Sequence, residues 1–457
     1  MKVIATIGPS SEKESRLYKI LKYVDGVRLN LKHGTPEEHE RRIKLIRKYE
    51  EISGKVIPII GDIPGVEIRT GDFSEIEAKK GESLYIVFKE SRASNDKTVI
   101  IPFPKVAEFL KEGDRVLIDD GEVGLKITEK VDKYTFLAEV FKPGIIKAKK
   151  SVSFPDTEIE LSIFENRKNR DLLKFIVQED IDYIAVSFVQ SMLHVLEVKE
   201  FVEKMGGDQW IMSKIEHRSA LRNLKEIVKA SDSIMIARGD LGVEVGLDKL
   251  PVIQKKIADF CIRYMKPVYI ATQFLHSLIE KPYPTRAEVS DIANAIIDGV
   301  DGIILTNETA VGKYPVRAAK IAKKVVINSI KLVYSKPLSE KYIDNVNKIV
   351  AEHACHIANK IENSIIVAET ETGFTAINIT RFKPKRPVVV ITNNKRIARN
   401  TNILWGVKKV LIDGSVINKI VHEEKLRELL KISDKTVVYV GSPILKRKTT
   451  MINILQI

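Results

Sequence analysis

The fold turns on residues 210–240, which hold Trp210-Ile211-Met212-Ser213-Lys214-Ile215-Glu216, a charged helical stretch, and then Ser233-Ile234-Met235-Ile236-Ala237-Arg238-Gly239-Asp240. Each flank is a short apolar run that ends abruptly in charge. A run that is apolar on both faces reads as a strand buried in a parallel sheet, and the helix between two such strands as a βαβ crossover. The pattern recurs outward in both directions. Strands are expected at Val3–Ile7, Gly26–Asn30, Val56–Ile60, Asp182–Ser187, Trp210–Lys214, Ser233–Ala237, Pro267–Ala271 and Gly302–Leu305. Between them, Thr35–Tyr49, Phe164–Gln178, Met192–Lys204 and Leu250–Arg263 carry helical periodicity. Eight strands of this kind close a (β/α)8 barrel, with a doubly wound open sheet as the alternative.

The repeat is broken after the third strand. Residues 72–146 hold apolar runs at Leu84–Phe88, Thr98–Phe103, Val116–Ile118 and Tyr134–Val140, divided by Gly81, Gly113 and Gly121. That predicts a β lid domain inserted in a βα loop, where barrel active sites lie. Beyond residue 335, a helix near Ile343–Ile361 precedes strands at Ile365–Ala368, Val388–Thr392, Val407–Ile412, Val437–Val440 and Met451–Ile457. The expected organisation is a barrel from residues 1–71 and 147–335, a lid at 72–146 and an open α/β domain at 336–457. A length of 457 residues agrees with two to four domains.

Composition narrows the function. With 44% hydrophobic and 30% charged residues the chain can bury a core. A net charge of +14 suits anionic ligands. Two distant cysteines, Cys261 and Cys355, argue against a disulfide scaffold or a cysteine zinc site. No apolar run approaches the about 20 residues of a membrane span, and the start, Met1-Lys2-Val3-Ile4-Ala5-Thr6-Ile7-Gly8-Pro9, lacks signal-peptide form. A cytoplasmic protein is expected. Nothing in the chain resembles an aromatic-interleaved basic motif, so no nucleic-acid partner is expected.

In a barrel, polar residues at strand C-termini are the first functional candidates. Lys214 and Glu216, two apart, share a strand face. Asp240 follows the adjacent strand, so Glu216 and Asp240 are placed to share one hard cation such as Mg²⁺, with Lys214 serving a phosphoryl group. A barrel-mouth salt-bridge network is the alternative. Other strand ends supply Arg28-Leu29-Asn30-Leu31-Lys32-His33, then Gly61-Asp62 running on to Arg69, then Thr272-Gln273 and Thr306-Asn307-Glu308-Thr309. A lone His33 is more often a packing or capping residue than a base.

Taken in order, Ala5-Thr6-Ile7-Gly8-Pro9-Ser10, Arg28-Leu29-Asn30, Met212-Ser213-Lys214-Ile215-Glu216, Ile236-Ala237-Arg238-Gly239-Asp240-Leu241-Gly242, Ala271-Thr272-Gln273, Pro284-Thr285-Arg286-Ala287-Glu288 and Glu308-Thr309-Ala310 resemble the pyruvate kinase family through nearly the whole chain. The resemblance implies the barrel, lid and α/β domains, and transfer of phosphoryl from phosphoenolpyruvate to ADP to give pyruvate and ATP. It implies Lys214, Arg28, Thr272 and Thr306 as catalytic, Thr306 standing where the family has serine. It implies Gly239, Asp240 and Thr272 on the substrate, Glu216 and Asp240 as Mg²⁺ ligands, and Asn30, His33, Arg69 and Lys150 on the nucleotide, with Asp120 from the lid. It also implies a cytoplasmic homotetramer.

Three departures stand out. The family's K⁺ site keeps Asn30 and Asp62, but its serine position is Lys32 and the next pair is Ile63-Pro64. Either the Lys32 ammonium replaces K⁺, so that no potassium is needed, or Lys32 faces solvent; retention of Glu67 favours the second. Val311 replaces a phosphate-facing lysine. In the C-terminal phosphate loop, Thr370-Glu371-Thr372-Gly373-Phe374-Thr375 lacks both family basic residues, so no response to fructose 1,6-bisphosphate is expected, with Lys446-Arg447-Lys448 open to another phosphate. Readings set against a working enzyme are another Mg²⁺-dependent barrel enzyme acting on phosphoenolpyruvate or pyruvate, and a non-catalytic phosphometabolite-binding relative.

Overall fold

The computed structural model describes every residue except 90–96, 120, 158, 160, 331–344, 416–422 and 443–447. Asp120, Lys446, Arg447 and the 335/336 boundary therefore lie outside the described residues.

Strands β1 (Lys2–Ile7), β2 (Gly26–Asn30), β3 (Ile59–Ile63), β4 (Tyr183–Val186), β5 (Trp210–Ile215), β6 (Ser233–Ala237), β7 (Val268–Ala271) and β8 (Gly302–Leu305) form one closed parallel barrel. Closure comes from β8 pairing with β1, Lys2 opposite Gly302 through Ala5 opposite Leu305, which excludes the open sheet. The interior is packed by Ile4, Ile60, Tyr183, Ala185, Met212, Met235, Tyr269, Ala271 and Ile304. Helix α1 (Pro36–Ser53) shows why the crossovers form where they do. Thr35 and Glu38 make a reciprocal capping box, Pro36 opens the first turn, and Gly54 ends the helix at φ +66°.

The third strand begins three residues later than the apolar run indicates. Pro58 cannot donate to a ladder, so the run Val56–Ile57 leads up to the strand; the Pro58 carbonyl accepts from Val27 N–H and the ladder runs from Ile59. It therefore includes Asp62, a charge that a hydrophobicity reading takes as a strand end.

Contacts divide the chain into two compact units, Pro64–Lys168 and the remainder. The inserted unit is wider than residues 72–146. Its flanks join its own ladders: Arg69 bridges Ser151, Thr70 N–H donates to Lys150 O, and Val152–Ser153 pairs with Leu117–Ile118. It holds a six-stranded and a two-stranded sheet around Leu84, Phe88, Val116, Leu125 and Phe136.

The other unit contains the barrel and a C-terminal α/β layer. Strands β9 (Ser364–Glu369), β10 (Val388–Thr392), β11 (Val407–Ile412), β12 (Thr436–Gly441) and β13 (Met451–Gln456) lie in the order β11-β10-β9-β12-β13, with only β13 antiparallel. Apolar clusters cover both faces. This layer is joined to the barrel by buried polar bonds. Tyr183 and Tyr269 hydroxyls donate to the carbonyls of Asn400 (2.7 Å) and Ile403 (3.2 Å), Ile403 enters the barrel's apolar cluster, and Arg381 pairs with Asp301, both fully buried. Both cysteines are buried and unbridged, and burial pushes both thiols up. Among the described residues no helix is long and apolar enough to cross a membrane.

Candidate active site

Four adjacent strands, β2 to β5, each present one polar side chain at their C-terminal ends. Arg28 on β2 donates from Nε to Asp62 on β3 at 2.7 Å and from Nη1 to Thr6 Oγ1 on β1 at 3.1 Å. Asp62 accepts from Ser187 Oγ, which directly follows β4, at 3.2 Å. Lys214 Nζ on β5 donates to Ser187 Oγ at 2.7 Å and lies 3.0 Å from Glu216 and 3.3 Å from Asp62. The other Glu216 oxygen accepts from the Phe188 amide at 2.7 Å, and Phe188 holds φ +53°, a left-handed value costly for its side chain.

All of these groups are buried, so their charges act in a weakly screened interior. Burial opposes ionisation of Asp62, but Arg28 and Lys214 outweigh it and hold the carboxyl below its ordinary range. Burial likewise opposes the Lys214 ammonium, and Asp62 and Glu216 outweigh it, raising Lys214. Glu216 goes the other way from a simple ion pair. Burial raises it, Lys214 lowers it, Asp240 and Asp62 raise it again, and the net shift is upward. Both partners of the Lys214–Glu216 pair thus shift up: burial raises Glu216 first, and the one ammonium, shared between two carboxylates, does not offset it while Asp240 adds a further negative charge.

That imbalance suits a hard dication. Arg28 and Lys214 stand against Asp62, Glu216 and Asp240, and the Glu216 carboxylate is the one left under-compensated. Its oxygen chemistry fits Mg²⁺. Among the described residues no cluster of three or more His, Cys, Asp or Glu forms a ready cage, so protein ligation would rest on the expected pair.

Asp240 is exposed in the first turn of α2 (Arg238–Val245), which starts immediately after β6. Gly239 N–H in the same turn donates to Thr272 Oγ1 at 3.0 Å. Thr272 and Gln273 both hold left-handed angles, φ +77° and +58°. Arg238 supports that turn by donating to the Thr272 carbonyl, pairing with Asp291 at 2.7 Å and lying over the Phe274 ring. Buried Glu308 links the β7 and β8 loops by accepting from Phe274 and Leu275 amides and from both Thr306 N–H and Oγ1–H. Thr272 and Thr306 are thereby held on neighbouring strand ends.

The remaining expected residues are more dispersed. Asn30, opposite Asp62 in the ladder, accepts from Lys32 N–H at 3.3 Å. Lys32 and His33 are exposed. In the inserted unit, Arg69 binds Glu67 and the Lys149 carbonyl, and Lys150 pairs with Asp119 at 2.8 Å. Sequence reasoning passed over Ser187, Phe188 N–H and Thr6. Ser187 is a polar residue at the end of a barrel strand, the signal used for the other strands.

The family models "Pyruvate kinase, barrel domain" and "Pyruvate kinase, alpha/beta domain" match residues 1–319 and 348–457. The chain belongs to the pyruvate kinase family. It is 37% identical to the pyruvate kinase of Clostridium acetobutylicum over 422 residues, covering 90% of this chain and 88% of that one. It is 34% identical to that of Thermococcus litoralis over 459 residues, 97% and 95% of the two chains. The crystal structure of pyruvate kinase from Pyrobaculum aerophilum superposes with a TM-score of 0.85 at 31% identity, covering 100% of this chain and 98% of that one. As a pyruvate kinase family member the protein is an enzyme, a phosphotransferase.

Proposed function

We propose that this enzyme transfers the phosphoryl group of phosphoenolpyruvate to ADP, through Lys214, Arg28, Glu216 and Asp240. The meeting of Lys214, Glu216 and Arg28 around Asp62 across four adjacent strands carries this reading. Arg28 and Lys214 flank the transferring group and offset the charge spread over its oxygens. Glu216 and Asp240 would hold the Mg²⁺, which when bound supplies Lewis-acid polarisation and charge neutralisation. Gly239 and Asp240, at the opening of α2, face the substrate carboxylate. The bond from phosphorus to the enol oxygen breaks as one to the terminal ADP oxygen forms. The enolate carbon then takes a proton from solvent through the Thr272 hydroxyl, with the Thr306 hydroxyl relaying. Asn30, His33, Arg69 and Lys150 serve the nucleotide.

The finer readings follow the same residues. The exposed Lys32 and the retained Glu67 support a monovalent cation at Asn30 and Asp62 rather than a lysine ammonium in its place, so activity in tetramethylammonium falls below that in K⁺, and equal activity in the two would support the replacement instead. Glu371 in the loop after β9 repels a bisphosphate, so fructose 1,6-bisphosphate leaves phosphoenolpyruvate saturation unchanged. The assembly is a homotetramer, tested by light scattering. The principal experiment measures pyruvate formed from phosphoenolpyruvate, ADP and Mg²⁺. Absence of ADP-dependent pyruvate would overturn the reading, and Lys214→Met and Glu216→Gln serve as inactive controls.

A further inference from the structure

We propose that Ser187 is a positioning residue that sets the spacing of the two phosphoryl-facing cations, Arg28 and Lys214. The inference rests on the function proposed above. A lysine side chain has four rotatable bonds and a spherical charge, so it is directed only by what its three N–H bonds meet. Here those acceptors are Ser187 Oγ at 2.7 Å, Glu216 at 3.0 Å and Asp62 at 3.3 Å. Ser187 is the nearest and the only uncharged one.

The hydroxyl has a defined sense. Lys214 donates to it, so its own proton is free to go to Asp62 Oδ1, 3.2 Å away. Asp62 in turn takes the Arg28 Nε–H at 2.7 Å, and Arg28 is fixed further by Thr6. An unbroken chain, Arg28–Asp62–Ser187–Lys214, therefore runs across β2, β3, β4 and β5, which are adjacent in the barrel. Each strand contributes one link, and register in the ladders fixes the separation of the two cations.

The residue after Ser187 argues for the same function of this rim. Phe188 adopts φ +53°, and that turn aims its N–H at Glu216 Oε2, 2.7 Å away. The Ser187–Phe188 step thus holds Lys214 by a hydroxyl and Glu216 by an amide. Without the hydroxyl, the ammonium has only carboxylates to turn to. It settles on Glu216 and competes with the dication for that oxygen.

The test compares Ser187→Ala, Ser187→Thr and Ser187→Cys with the wild-type enzyme in the phosphoenolpyruvate, ADP and Mg²⁺ assay. Ser187→Ala is expected to lower kcat by about 10- to 100-fold, leave KM for phosphoenolpyruvate within about threefold, and raise the Mg²⁺ needed for half-maximal rate by about threefold or more. Ser187→Thr, which keeps the hydroxyl, restores kcat to within about threefold. Should the alanine variant fail to fold, Ser187→Cys, near in shape but a weak acceptor, shows the same loss of kcat. A kcat within about threefold of wild type in Ser187→Ala or Ser187→Cys, or no rescue by threonine, overturns the proposal. An inactive wild-type enzyme instead overturns the function it rests on.

Discussion

Replacing Lys214 by Met tests whether the buried charges of the site are mutually dependent. Among the described residues, the substitution removes the only cation within 3.0 Å of Glu216 and leaves that carboxylate one hydrogen bond, from Phe188 N–H, in a field that includes Asp62 and Asp240. Stranding a buried charge costs about 3–5 kcal/mol. Glu216 escapes by keeping a proton, since its carboxyl is already raised and loses the group that lowered it. The sign then follows. A folded state that holds a proton which the unfolded chain releases loses stability as pH rises from the ordinary carboxylate range through the raised value. Lys214→Met is therefore expected to be close to wild-type stability near pH 5 and less stable by several kcal/mol near pH 8.5, on the order of 10 °C in thermal midpoint. Adding Glu216→Gln removes the stranded charge and should recover most of the loss, with a coupling energy of about 2 kcal/mol or more. The kcat of both variants falls by about 100-fold or more. Thermal denaturation at the two pH values, run on both variants, decides. A deficit independent of pH, or additive effects in the double variant, would refute the reasoning.

Asp240→Asn should raise the Mg²⁺ required for half-maximal rate by about tenfold and move the acid limb of the rate–pH profile downward, because removing a like charge lowers Glu216; an unchanged Mg²⁺ titration counts against the pair. Lys383 and Lys2 are buried and pushed down to about 7 and about 8 by desolvation, against the partial support of Asp301 and Asp25. The unfolded chain holds those protons to higher pH, so stability should rise between pH 7 and 10, as read by urea denaturation; Lys383→Met should flatten the slope. Gly373 opens the helix Phe374–Arg381 at φ +85°, and a Cβ there would sit 2.8 Å from the Trp210 ring. Gly373→Ala is expected to cost about 1–3 kcal/mol and shift Trp210 fluorescence, and a loss under about 0.5 kcal/mol would contradict the contact.

The parts of the fold legible in the sequence were those with apolar strands and clear punctuation. β6 and β8 carry short apolar runs closed by a polar residue, Arg238 or Thr306, and their bounds, with those of β2 around Arg28, agree with expectation residue for residue. β3 was displaced at both ends, its start by Pro58, which cannot donate to the ladder, and its end by Asp62, a charge inside the strand. In the inserted unit Val123–Lys130 was missed, since its outer half alternates with charge on exposed positions. Candidate residues from β2, β5 and β6 were named because charge at a strand end is conspicuous. Ser187 was not, because a serine closing an apolar run carries no such contrast; only the partner atoms from neighbouring strands give it meaning. Nor could one-dimensional spacing show that Asp62, expected beside a monovalent cation, is engaged by Arg28 and Lys214.

The tyrosines at the base of the barrel bear on how this architecture can change. Tyr183 and Tyr269 project from barrel strands, yet their hydroxyls are satisfied by carbonyls of Asn400 and Ile403, and Asp301 by Arg381. A shortened gene ending before the final layer would leave two phenols and a carboxylate facing an open apolar hole, with Ile403 withdrawn from it. Such a fragment would need phenylalanine or a larger plug at both tyrosines and a neutral residue at 301 before it could remain in solution. Loss of the terminal layer is therefore not a one-step event for this lineage, and the barrel's own sequence records its dependence on a neighbour.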